Sequence, residues 1–154
     1  MKKERDNKGF TLAELLVVVA VIAILVTISI PLFAAQRKKA VTAANMANIR
    51  AAKAAAATLL YGGTAESTLD GGHAYLVYDT EKGTIEKNPE DSYAAGNRLG
   101  MEQYNAAKSG KVCEKIIVFV EPTHTTEHQI QTAPYFNDDG TLGTPDAGNP
   151  FGKR

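Results

Sequence analysis

The sequence is poor in several features that ordinary domains use. It has one cysteine, Cys113, so no intramolecular disulfide can form and any domain must close by packing alone. Within Val112-Cys113-Glu114-Lys115-Ile116 that cysteine reads as a small packed apolar residue rather than a nucleophile. Net charge is absent: 17 lysines and arginines face 17 aspartates and glutamates, a balance that argues against nucleic-acid binding. No Ser/His/Asp order, phosphate-cradling loop or paired metal motif stands out, so the residues support neither an enzyme nor a cofactor. His124 and His128 are four apart in a non-helical context, a poor zinc pair, and His73 beside Gly71-Gly72 reads as loop. Asp138, Asp139 and Asp146 lack the spacing of a helix-loop-helix calcium site, so no metal site is expected.

Charge is missing from one stretch in particular. Leu15 to Ala35 is 21 residues without a charged side chain, and only Thr27 and Ser29 in it are polar. A run of that length spans a bilayer as a helix. Glu14 stands at its start; an acid at membrane depth costs about 2.5–3.5 kcal/mol near a helix centre and is rarely found there without a partner. The chain begins Met1-Lys2-Lys3-Glu4-Arg5-Asp6-Asn7-Lys8-Gly9, then Phe10-Thr11-Leu12-Ala13-Glu14-Leu15-Leu16, and the apolar stretch runs on to Pro31. An ordinary secretory signal places its cut after the hydrophobic region, whereas here the candidate cut precedes it and the helix would be kept.

These residues resemble the start of a type IV prepilin or type IV pilin-like protein. The resemblance covers about the first third of the chain. It implies a leader, residues 1–9, removed by a prepilin peptidase between Gly9 and Phe10, and N-methylation of Phe10. Glu14, fifth after that cut, would serve assembly by pairing with the free α-amine of a neighbouring copy's Phe10. A glycine at a scission site lets backbone approach the protease closely. The resemblance also implies a homopolymer with other copies and minor pilins, a membrane assembly platform, and no catalysis by the chain itself. Before assembly the protein would be a single-pass membrane protein with its amino terminus cytoplasmic, and afterwards part of an extracellular pilus or envelope filament. The basic leader agrees with that orientation; Arg37-Lys38-Lys39 beyond the span runs against it. Pro31 matches a proline common in the family and can kink the helix. Two family features are missing: the carboxy-terminal disulfide of many Gram-negative pilins, and a glycine often found before the proline.

The expected fold is α+β: a long N-terminal helix, transmembrane over 10–35 and amphipathic over 36–60, packed on a small antiparallel head at 61–154. From Gln36 to Leu60 there is no proline or glycine and alanine dominates, which favours helix. Val41, Ile49, Ala52, Ala56, Leu59 and Leu60 share one face at 100° per residue, with Arg50 outside it. Gly62-Gly63 ends the helix. In the head, Ala74–Asp79 predicts a strand, Lys82-Gly83 a turn, and Thr84–Glu86 its partner. Asn88-Pro89-Glu90-Asp91 predicts a helix start, with the helix running to Lys108, weakened by Gly96 and Gly100, and stopping at Gly110. Val112–Val120 and Gln129–Phe136 predict strands, Asp139-Gly140 a hairpin turn, and the tail from Gly143 irregular structure.

Charge is distributed unevenly along these parts. Residues 36–60 carry Arg37, Lys38, Lys39, Arg50 and Lys53 and no acid, net +5, while residues 61–154 carry eight basic and fourteen acidic side chains, net −6. A basic stem and an acidic head suggest that copies attract head to stem. The preferred function is therefore a structural subunit of a type IV pilus or related filament. The alternatives are a pseudopilin of a secretion or competence system, or a membrane-anchored binding module that does not polymerise.

Overall fold

A computed structural model of the chain describes residues 9–62, 72–90, 92–122, 129–137, 139–145 and 149–151. Its elements are α1 (Leu12–Tyr61), β1 (Ala74–Asp79), β2 (Thr84–Lys87), α2 (Tyr93–Lys108), β3 (Lys115–Val120) and β4 (Ile130–Ala133). The architecture is α+β and pilin-like: a long N-terminal helix with an apolar stretch, then a four-stranded antiparallel sheet and a second helix. The chain divides into two compact units, residues 1–37 and 38–154.

In the first unit, α1 is long and apolar enough to cross a membrane, and its apolar window is wholly exposed. Every large apolar residue from Phe10 to Phe33 is at least 48% exposed. The two hydroxyls of this stretch are satisfied inside the helix: Thr27 Oγ1 donates to the Ala23 carbonyl and Ser29 Oγ to that of Leu25, each at 2.7 Å. Such back-bonding removes the cost of a hydroxyl in hydrocarbon. α1 continues through Pro31, whose ring removes one backbone donor without ending the helix.

In the second unit the sheet order is β2-β1-β3-β4, every neighbour antiparallel. Strand alternation divides its side chains between two faces. Ala74, Leu76, Tyr78, Ile116, Val118 and Val120 form one face and bury Ile49, Ala52 and Ala56 of α1, with Cys113 in the same cluster. Tyr75, Val77, Ile117 and Phe119 form the other, packed with Leu99 of α2, Ala133 and Phe151. The sheet is thus a filling between the later part of α1 and α2.

The glycines of α2 explain how α2 reaches the sheet. A Cβ at Gly96 would lie 2.4 Å from Tyr75 Cδ1, and one at Gly100 2.5 Å from Pro150 Cγ and 2.8 Å from Ala133 Cβ. Both glycines are buried. Their lower helix propensity is offset by close approach to the second sheet face. The helix starts later than the sequence suggested. Ser92, not Asn88, is the N-cap, its Oγ accepting from the Ala95 amide at 3.2 Å. Asn88 is buried, and its amide donates to the Tyr75 carbonyl at 2.8 Å, extending the β1–β2 ladder into the residues expected to open the helix. The end of α2 falls at Lys108 as expected, and Gly110 follows at φ +74°.

The first hairpin matches its sequence signals, with Gly83 at φ +67° between β1 and β2. β3 begins at Lys115 rather than Val112, because Lys111 to Cys113 turn aside to meet α1. β4 is shorter than expected, ending at Ala133 before Pro134, while Phe136 bridges Leu142 around the Asp139-Gly140 turn. Tail residues Pro150 and Phe151 lack regular structure but are buried. Gly63, His124, His128, Asp138 and Asp146 lie outside the described residues.

Candidate functional site at the helix start

The helix start is built from three consecutive roles. Thr11 precedes the first helical residue, Leu12, and Glu14 is the third residue of the helix. The Thr11 hydroxyl accepts from the Glu14 amide at 3.3 Å. Glu14 Oε2 reaches back and accepts from the Thr11 amide at 2.8 Å and from the Thr11 hydroxyl at 2.7 Å. This reciprocal arrangement is a capping box, which satisfies backbone donors that a helix otherwise leaves open. Glu14 also lies at the positive end of the helix dipole, where a carboxylate is stabilised.

Thr11 is the site residue that sequence reasoning passed over, although Thr-x-x-Glu before an apolar run is its signature. Only Oε2 of Glu14 takes part in the box; among the described residues Oε1 has no hydrogen bond. The carboxylate is therefore fixed in direction yet keeps one oxygen for a donor from elsewhere. Gly9 and Phe10 lie before the helix in irregular backbone. Nothing stands within 4 Å of where a Gly9 side chain would begin, and Phe10 is 92% exposed. Pro31 lies 17 residues beyond Glu14 and takes no part in this group.

The other expected candidates sort plainly. Cys113 is fully buried, and burial pushes its thiol up to about 11, the state of a packed apolar residue. His73 is exposed, its ring centroid 6.0 Å from that of Phe119 and 6.3 Å from that of Tyr75. Asp139 spends Oδ1 on the Thr141 amide and hydroxyl, at 2.8 and 2.6 Å. No group of three or more potential metal ligands occurs among the described residues.

Residues 5–30 match the family model of the prokaryotic N-terminal methylation motif. Comparison of the chain with curated proteins and with solved structures finds no match. The match contains Gly9, Phe10, the capping box and most of the apolar run, so the chain carries the class III signal of type IV prepilins ahead of a pilin-like α+β fold.

Proposed function

We propose that this chain is a structural subunit of a type IV pilus or related filament. Residues 1–9 are its leader, residues 10–35 its membrane-spanning segment, residues 36–60 its amphipathic stem and residues 61–154 its head. A prepilin peptidase cuts between Gly9 and Phe10, and Phe10 is then N-methylated. The observation that carries the reading is the capped carboxylate at the start of an exposed apolar helix. Capping alone would serve a simple anchor equally well, but an oxygen left open beside an apolar span favours a subunit that receives a donor from a neighbouring copy.

The geometry supports a route to assembly. Cleavage converts the Phe10 amide into an amine. In a staggered stack the free oxygen of one copy's Glu14 accepts from another copy's amine, forming a desolvated charge-assisted pair. A staggered rod supplies the heterologous, non-closing interface that a filament needs. Before assembly the chain is a single-pass membrane protein with a cytoplasmic amino terminus; afterwards its head is the filament surface. Its partners are other copies, minor pilins, the peptidase and a membrane assembly platform.

Two measurements test this. Amino-terminal peptide mass analysis of envelope protein is expected to show chains beginning at methylated Phe10; chains still beginning at Met1, in cells with an active prepilin peptidase, defeat the reading. Mechanical shearing is expected to release the processed chain as filaments, and Glu14→Ala to abolish or strongly slow that release while membrane insertion persists. Abundant normal filaments built from Glu14→Ala alone would show the amine pair to be dispensable. Retention of the processed wild-type chain in the membrane after shearing favours the non-polymerising anchor.

A further inference from the structure

The stretch of α1 from Lys38 to Tyr61 has a buried stripe and an exposed remainder, and its basic residues lie in the remainder. Lys39, Arg50 and Lys53 are all exposed. At 100° per residue they fall within about 60° of arc on one flank of the helix. None of them has an ion pair among the described residues, and no acid occurs anywhere in α1 after Glu14. Arg50 and Lys53 are three apart on one helix face, an unfavourable like-charge spacing. In the nearby turn Gly140 abuts Met46, and Asp139 there bonds Thr141 through Oδ1.

The complementary charge is on the rest of the same unit. Glu81, Glu86, Glu102 and Glu114 are exposed and have no ion pair among the described residues. Glu81 and Glu114 lie close together, because Thr80, next to Glu81, bonds the Glu114 carbonyl through both its amide and its hydroxyl. The molecule thus holds two unspent sets of opposite charge that do not meet within one copy. Lipid headgroups suit Arg50 and Lys53, far along the helix, less well than they suit the cations next to the apolar span. Arg50 lies 12 residues beyond Lys38, about 18 Å along the helix.

We propose that the flank formed by Lys39, Arg50 and Lys53 is a docking surface for the acidic head of a second copy of this chain. The proposal rests on the reading of the chain as a polymer subunit and specifies which surfaces of two copies meet. Contact is electrostatic and partly wet, so it sets stagger and partner choice more than strength.

The test uses full-length chains, one population unlabelled and one labelled with ¹⁵N, mixed in detergent and reconstituted together in neutral-lipid vesicles. A water-soluble carbodiimide joins a lysine amine to a carboxylate only when the two touch. Mixed-isotope links from Lys39 or Lys53 to Glu81, Glu86, Glu102 or Glu114 are expected. Their yield should fall several-fold from low to high salt and several-fold in Arg50→Glu. In cells, Arg50→Glu with Lys53→Glu should lower sheared filament yield about tenfold, and changing the cross-linked glutamate to lysine in the same chain should restore it. Absence of mixed-isotope links from both lysines overturns the proposal, as does wild-type filament yield from the double reversal. A wild-type chain that sheds no filaments defeats the subunit reading instead, and the vesicle cross-links then still decide whether this surface docks.

Discussion

Two stretches of α1 obey different rules although they share one run of helix. From Leu15 to Phe33 every large side chain is apolar and exposed, so no face is preferred and nothing among the described residues covers it. From Val41 to Leu60 the side chains divide: Asn45, Ile49, Ala52 and Ala56 are buried, while Ala47, Arg50, Lys53 and Ala54 face outward. The first stretch is written for a surrounding apolar solvent, the second for one specific neighbour. Uniform hydrophobicity specifies an environment; patterned hydrophobicity specifies a contact.

The largest effect should come from placing the same charge in both stretches. Leu25→Arg is expected to block or misdirect membrane insertion, since arginine near a helix centre costs about 2.5–3.5 kcal/mol on insertion scales. Ala47→Arg, also at an exposed position, should insert and fold normally. Alkaline extraction of membranes separates the two; equal extraction of both variants would erase the distinction between the stretches.

Within the second stretch, the buried and exposed sides can be set against each other. Ala52 is 0% exposed against the sheet, so Ala52→Leu should overpack the core and lower stability by about 1–3 kcal/mol. Ala54→Leu on the exposed side should change stability by no more than about 0.5 kcal/mol. Thermal melts of the two full-length variants in detergent check the contrast.

Asn45 sharpens it further, because it is a polar residue on the buried stripe. Its Oδ1 accepts from the Cys113 amide at 2.8 Å and its Nδ2 donates to the Lys111 carbonyl at 3.1 Å. The side-chain amide thus stands in for a missing strand partner in the segment between α2 and β3. Asn45→Ala leaves the buried Cys113 amide without its partner and should cost about 1–3 kcal/mol. Hydrogen exchange at the Cys113 amide should accelerate markedly, while the β3 amides change less. Unchanged exchange at Cys113 would show that the bond does not hold that segment.

This division also marks what the sequence disclosed and what it withheld. The span, the apolar stripe, the first hairpin and the end of α2 are written in local pattern: run length, periodicity, turn residues. Asn45 escapes such a reading because a stripe counted by apolar residues has no place for an amide whose partners lie 66 and 68 residues away. Gly96 and Gly100 look like flaws in a helix until Tyr75, Ala133 and Pro150 are seen beside them. Asn88-Pro89 has the chemistry of a helix start, but pairing with Tyr75 claims it for the sheet. Gly9, Phe10 and Glu14 fall within the matched motif, and their processing and assembly roles stand as proposals; the Thr11–Glu14 pair is readable from its Thr-x-x-Glu spacing.

A further expected effect is one of pH. Burial raises the Cys113 thiol from its ordinary 9.0 to about 11. The folded chain therefore holds this proton more tightly than the unfolded chain does. The contribution to stability is fully present below pH 9 and is lost as pH rises from about 9 through 11. Cys113→Ala removes that dependence, so the melting temperatures of wild type and variant should converge over this range. Parallel curves up to pH 11 would mean that the thiol is not sealed by the fold.

The capping box also sets a limit on proteolysis. Proteases bind their substrates as extended chain, and a helix withdraws its backbone from them by closing each amide onto a carbonyl. By ending the helix at Leu12, the Thr11–Glu14 pair keeps the bond between Gly9 and Phe10 outside the protected region. One further helical turn toward the amino terminus would fold that bond into the rod. If the chain is processed as proposed, the pair that caps the helix also leaves the bond to be cut in open backbone and the retained chain in closed backbone.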